Sequence, residues 1–136
     1  MRWIALALPI LAFAIYVEPA LGCRCTEPSL PSAYKRADSV AQVRIDKVSP
    51  SSSDGTVTAQ GEIVTAWKTS LPPHVEIVTG EDCAYPLKAQ GTYILYLSKG
   101  DTAWGTYKCR GNRALGEADR TVRWLKRYGH SINTSK

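Results

Sequence analysis

Hydrophobic residues along this chain recur at every second position in short runs, separated by clusters of Pro, Gly and Ser. From Ser39 to Val48, Val40, Val43, Ile45 and Val48 stand among polar residues. One break in the alternation, between Val40 and Val43, predicts a strand with a bulge. The segment from Ser49 to Gly55 (SPSSSDG) is a polar turn. Thr56 to Trp67 predicts a second long strand in which Gly61 marks a bend, and Leu71-Pro72-Pro73 then breaks the chain. Val75, Ile77 and Thr79 alternate over a third strand, Thr92 to Leu97 is a buried fourth, and Trp104 to Tyr107 a short fifth. Two stretches follow the other period. Pro28 to Ala37 predicts a short helical turn, with Tyr34 facing inward and Asp38 stopping it. Leu115, Ala118, Val122, Leu125 and Tyr128 fall at i, i+3, i+7, i+10 and i+13, one apolar face of a helix that leaves Arg120, Arg123, Lys126 and Arg127 outside it.

Five strands in succession, a closing helix and no βαβ rhythm predict a mainly β protein. The expected architecture is a five-stranded antiparallel OB-fold barrel with a short N-terminal helix and a C-terminal helix. A sandwich is the competing architecture, but it usually needs about seven strands. No internal repeat and no second domain are visible.

The first residues carry an address. Met1-Arg2-Trp3 is a short positive region, Ile4 to Val17 is apolar, Glu18-Pro19 breaks the run, and Ala20-Leu21-Gly22 supplies the small residues that signal peptidase reads. The apolar run is shorter than the ~20 residues of a spanning helix. Residues 1–22 are therefore expected to be a signal peptide, leaving one domain at 23–136 with room for one core. Ala20-Leu21-Gly22-Cys23 is also a loose bacterial lipobox, but Ala20 stands where Leu is preferred, so ordinary cleavage and secretion are the expectation. Acylation at Cys23 is the only route to a membrane in this reading. The formal net charge is +5, and it survives cleavage because Arg2 and Glu18 leave together. Such a charge favours acidic partners.

Four cysteines, Cys23, Cys25, Cys83 and Cys109, read as a disulfide framework in a small exported chain. Of the three connectivities, a Cys23–Cys25 bridge is the least favourable because so tight a ring is strained. Each N-terminal cysteine is then joined to one of Cys83 and Cys109, in either of two arrangements. Bridges of this kind can be mere staples for a small core. Their position at the start of the mature chain adds something else. A terminus that would otherwise fray is fastened twice, and its α-amine and first carbonyl sit on a rigid ridge where a neutral amine can coordinate a metal.

Enzyme chemistry has little support. G-x-S-x-G and H-E-x-x-H are absent, the bridges leave no cysteine nucleophile, and Asp38, Glu62 and Glu76 fall on separate elements. No cofactor is implied. His74 and His130 lie far from the cysteines, so a bound zinc is not indicated either. A leader and disulfides separate the barrel from nucleic acid, the usual ligand of basic OB-folds. Trp67, Trp104, Trp124, Tyr93 and Tyr96 read as barrel filler, and the basic face of the last helix as a solvated surface. Asn133-Thr134-Ser135 fits a glycosylation sequon.

The segment from Cys23 to Arg44, CRCTEPSLPSAYKRADSVAQVR, resembles the opening of the tissue inhibitors of metalloproteinases. It has the N-terminal C-x-C, a proline soon after, Ala33-Tyr34, and Asp38-Ser39-Val40 leading into the first strand. Ala66-Trp67-Lys68 is similar to the W-K pair of the bacterial and netrin-like relatives, and Cys83 and Cys109 stand where partners of the first two cysteines are expected. The resemblance spans essentially the whole mature chain. It implies Cys23–Cys83 and Cys25–Cys109 bridges on an OB-type barrel. It departs from the family at Lys35, where a further cysteine is usual, in lacking a second cysteine-rich domain, and at Arg24, where vertebrate inhibitors carry a small or hydroxylated residue.

The implied function is a secreted, monomeric inhibitor of zinc metalloendopeptidases. The amine and carbonyl of Cys23 would chelate the protease's zinc, displacing the water that such sites keep. Arg24 would enter the specificity pocket, Cys25 and Thr26 would continue along the cleft, and Glu81 and Asp82 would form the other side of the wedge. A long cation at Arg24 suits a deep or acidic pocket, since burying an unpaired charge is costly. The alternative is a netrin-like binding module of the cell envelope or extracellular space with the same fold and no inhibitory activity.

Overall fold

The computed structural model describes residues 23–50, 52–80 and 83–132. The expected leader at 1–22, Glu81, Asp82 and Asn133 lie outside the described residues. The elements in chain order are α1 (Leu30–Arg36), β1 (Ser39–Val48), β2 (Val57–Trp67), β3 (His74–Thr79), β4 (Thr92–Lys99), β5 (Trp104–Gly105), β6 (Arg113–Ala114), α2 (Asp119–Tyr128) and β7 (Ser131–Ile132).

β1 is paired along both edges, antiparallel to β2 and to β4, and from these pairings a barrel closes in the order β1-β2-β3-β5-β4. The fold is an OB-like barrel, mainly β with two helices. One expectation needs correction: the ring is not wholly antiparallel. β3 and β5 run parallel, with Ile77 opposite Trp104 and Val78 opposite Gly105. The reason is parity. Antiparallel neighbours alternate in direction, and a ring of five strands cannot alternate all the way round, so one seam must be parallel. Here it falls on the shortest strand, β5, which turns back from β4 through a Gly100–Ala103 backbone bond of 2.9 Å. β6 and β7 are two-residue additions on β4 and β2 that the sequence reading did not anticipate.

Alternation sorts the side chains into two layers. Ala41, Val43 and Ile45 of β1, Ile63 of β2, Ile77 of β3 and Leu95 and Leu97 of β4 fill the barrel. Val40, Trp67, Ile94 and Tyr96 point the other way, into a second cluster with Ala33 and Ala37 around α1 and with Ala118 and Leu125 around α2. Each fully buried aliphatic side chain contributes about 1.5–3 kcal/mol. The expected bulge is present where the β1–β2 register shifts between Gln42 and Val43, but its extra residue, Val64, lies on β2 and is half exposed. One added residue reverses the facing of everything after it. That reversal turns Ala66 inward and Trp67 out beneath the helices. Gly61 is buried on the inner face, where a Cβ would come within 2.5 Å of Val43 Cγ1.

The terminal helix is shorter than its pattern. Leu115 sits in a 3-10 turn before it, and Ala118, with ψ near 10°, separates the two. Leu115 and Tyr128 are exposed, at 36% and 60%, so the buried stripe reduces to Ala118, Thr121 and Leu125 with Val122 at its edge. Tyr128 instead packs on Trp124, with ring centroids 5.5 Å apart, and Trp124 meets Tyr34 edge-on at the same distance.

α1 has seven residues, too few to hold a helix alone. Ser29 caps its start by accepting the Ser32 N–H at 3.3 Å. Its end is held from a distance. Lys68, in the left-handed region at φ 77°, donates its ammonium to the carbonyls of Tyr34 at 2.8 Å, Lys35 at 3.1 Å and Ala37, satisfying the open C-terminus of the helix. Thr69 and Ser39 add hydroxyl bonds to Asp38 O and Thr69 O. In Lys68→Met the aliphatic stem remains and three charged hydrogen bonds are lost. Chemical denaturation should show about 1.5–3 kcal/mol of destabilisation, with α1 amides losing exchange protection while the barrel strands keep theirs.

Candidate functional site

Cys23, Arg24, Cys25 and Thr26 precede α1 in chain without regular secondary structure, and all but the half-buried Cys23 are exposed. The structure joins Cys23 to Cys83, with Cα atoms 5.2 Å apart, and Cys25 to Cys109, at 5.1 Å. This is one of the two arrangements left open by cysteine counting. No free cysteine is present among the described residues. Two such bonds mark an oxidising, extracellular-type environment. No helix among the described residues is long and apolar enough to cross a membrane.

Two residues of one short segment, Cys23 and Cys25, are thus bolted to two different loops. A bond is only as rigid as what it is fastened to, and both loops are well anchored. Behind Cys83, the Tyr85 N–H donates to the buried Thr79 Oγ1 at 2.7 Å, Leu87 caps the barrel interior, and the Lys88 N–H donates to the Tyr93 hydroxyl at 2.9 Å. The Tyr85 ring meets Tyr93 edge-on at 6.0 Å. Burial, reinforced by Tyr93 and Glu117, pushes the Tyr85 phenol above its ordinary value. This loop is an outgrowth of the barrel core.

The Cys109 loop is held by one side chain. Asn112 is buried; its Oδ1 accepts the Tyr96 N–H at 2.8 Å, and its Nδ2 donates to Thr106 Oγ1 at 2.8 Å and to Tyr107 O at 3.1 Å. Thr106 in turn donates its hydroxyl to Tyr96 O at 2.9 Å. The network continues the β4–β6 ladder with a side chain where the backbone has already turned away at Gly111, φ 100°. Arg110 lies 4.7 Å over the exposed Tyr107 ring and donates to Ser98 Oγ at 2.5 Å. Beyond the ridge, Glu27 pairs with Arg113 of β6. That pair is exposed, so it steers the chain more than it stabilises it.

Of the residues singled out in the sequence, the structure brings Cys23, Arg24, Cys25 and Thr26 into one exposed edge. The Cys83 loop adjoins it through the bridge; Glu81 and Asp82, which precede Cys83, lie outside the described residues. Trp67, Tyr93 and Tyr96 are buried and Trp104 and Trp124 partly so, as the filler reading expects. Asn112 and Lys68 were not recognised as organising residues. Gly111-Asn112 carries the signature of a solvated turn, and its only distinguishing signal is its place immediately after a bridged cysteine. No cluster of three or more His, Cys, Asp or Glu among the described residues could hold a metal ion. What the ridge offers chemically is a fixed, exposed run of backbone with one long cation on it.

No protein-family model matches the chain, and no curated protein matches it.

Replacing Asn112 by Ala leaves the buried Tyr96 N–H without its partner and removes one of the two donors to the Tyr107 carbonyl, which keeps the Arg110 N–H. An unpaired buried group costs about 1–3 kcal/mol and the lost bonds to Thr106 and Tyr107 add to it, so Asn112→Ala should lower the unfolding free energy by about 2–4 kcal/mol. Hydrogen exchange should speed up at residues 106–111 and, through the Cys25–Cys109 bond, along the ridge. An unchanged ridge would show that the bridge alone sets its rigidity.

Proposed function

We propose that this chain is a secreted metalloproteinase inhibitor that begins at Cys23 and binds a zinc endopeptidase through that residue. One observation carries the reading: a short, largely exposed segment whose first and third residues are cross-linked to two separately anchored loops. A flexible peptide loses much of its binding energy to ordering on entering a cleft, and a segment fixed in advance does not. After cleavage before Cys23, the free α-amine and the Cys23 carbonyl lie at the fixed end of the edge, spaced as a five-membered chelate around a metal. The protease's zinc keeps an open position for water, and the two atoms replace it. Arg24 extends from the edge into the neighbouring specificity pocket, and Cys25 and Thr26 follow along the cleft.

The competing reading, a netrin-like binding module without inhibitory activity, draws on the arginine-lined groove beside α2 rather than on the ridge. The two separate cleanly. Adding one alanine before Cys23 moves the amine off the fixed edge and puts atoms where the metal must sit. The extended protein should keep its far-UV circular dichroism and lose at least a hundredfold in inhibition of any zinc endopeptidase that the native protein inhibits. Equal potency of the two would exclude the amine as the ligand. A panel in which neither inhibits would favour the binding module.

The same chemistry sets a pH dependence. An α-amine has a pKa near 8, and the proton competes with zinc for its lone pair. Affinity should therefore fall as pH is lowered, approaching about tenfold per unit well below that pKa. Carbamylation of the amine should remove the dependence together with the inhibition.

Arg24 sets selectivity in this scheme. Arg24→Thr should redistribute inhibition among proteases, gaining against shallow apolar pockets and losing against acidic ones. Because the side chain is exposed, stability should change by no more than about 0.5 kcal/mol. An unaltered inhibition profile would reduce Arg24 to a solvated charge.

A further inference from the structure

A groove of about 890 Å³ runs between the segment entering α1 and the outer face of α2. Its apolar surface comes from Leu30, Pro31 and Trp124. Its wall is basic: Arg120, Arg123 and Arg127 stand at i, i+3 and i+7 of α2, so they share one side of the helix. Glu117 and the Glu27–Arg113 pair complete the charged groups around it. Among the described residues no carboxylate lies within ion-pair distance of the three α2 arginines.

The decisive feature lies deeper. Tyr96 lines the groove and is fully buried, yet its hydroxyl has no hydrogen-bond partner among the described residues, although its backbone N–H and carbonyl are both satisfied. Buried hydroxyls are nearly always paired. Gly111 packs closely against this ring: a Cβ there would lie 3.3 Å from Ala33 Cβ and 3.5 Å from both Pro28 Cγ and Tyr96 Cε2. Burial pushes the phenol up to about 12, so it keeps its proton and remains a donor at any physiological pH.

We propose that this groove binds a small amphiphilic anion: an acyl chain on the apolar surface, a carbonyl oxygen accepting from the Tyr96 hydroxyl, and an acidic head held by Arg120, Arg123 and Arg127. An acidic protein surface could meet the arginines but would leave the apolar surface and the hydroxyl unused. A cationic amphiphile would fill the apolar part against three like charges. The acyl anion uses all three features, and the proposal is independent of zinc chelation at the ridge.

N-dodecanoylglycine, kept below its micelle-forming concentration, supplies chain, carbonyl and carboxylate and serves as the probe. Titration into the purified protein, followed by the Trp124 indole and Gly111 amide resonances, should give saturable binding. N-acetylglycine, with the head and no chain, and dodecyltrimethylammonium, with the chain and the wrong charge, should each bind at least tenfold more weakly. Arg123→Glu with Arg127→Glu alters only exposed positions and should weaken binding more than tenfold. Tyr96→Phe should weaken it about three- to tenfold, with the barrel amide spectrum as the folding control. Equal binding of the cationic amphiphile, wild-type affinity in the arginine double variant, or wild-type affinity in a folded Tyr96→Phe would each overturn the proposal. So would tight binding of a polyglutamate peptide that the probe cannot displace, which would assign the groove to an acidic protein.

Discussion

β4 is buried on both faces, and the arrangement of the molecule depends on that fact. Tyr93, Leu95 and Leu97 close the barrel interior, while Ile94 and Tyr96 form the seat for the two helices. A strand covered on one side alone would allow a barrel with a solvated exterior. Because this one is covered on both, the helices have fixed positions, and so does the chain that leads into them. The ridge at Cys23–Thr26 inherits its place from that second layer, through α1 and the Cys25–Cys109 bond.

Polar side chains play their part at the joints between the layers rather than within them. Lys68 reaches across to the end of α1, and Asn112 to the middle of β4. Each lets a backbone segment finish without a regular partner. These groups pair polar atoms that burial would otherwise strand, which is where a hydrogen bond matters most. The Tyr96 hydroxyl and Arg110 Nε are the exceptions among the described residues.

The sequence made the barrel legible because its strands alternate, and because TYILYL, apolar at nearly every position, reads as a buried strand. It also predicted a bulge on β1, between Val40 and Val43; β1 does carry an extra residue, but at Asp46, and the one opposite Gln42 and Val43 is Val64 of β2, which alternation hides because it is itself apolar. The α2 pattern was legible only in part. Periodicity registers which residues are apolar, not whether the core lies opposite, and Leu115 and Tyr128 remain exposed. Lys68 and Asn112 were invisible for a different reason. The partners of Lys68 lie 31–34 residues away and those of Asn112 16, 6 and 5 residues away, and composition carries no trace of such pairings. The ridge was legible as a cysteine spacing. Its anchorage was not, because it resides in Thr79, Tyr93 and Thr106, residues that read as ordinary strand positions.

The cross-links also impose an order of events. Cys23 emerges from the ribosome 60 residues before Cys83, and Cys25 emerges 84 residues before Cys109. The earliest part of the domain to be synthesised is therefore the last to be fastened, and it waits until the loops flanking β4 and β5 exist. A chain cut short before Cys109 contains all five barrel strands and still lacks the second bond that fastens its N-terminus. The edge becomes rigid only once the barrel behind it is complete, so its rigidity reports on the integrity of the whole domain.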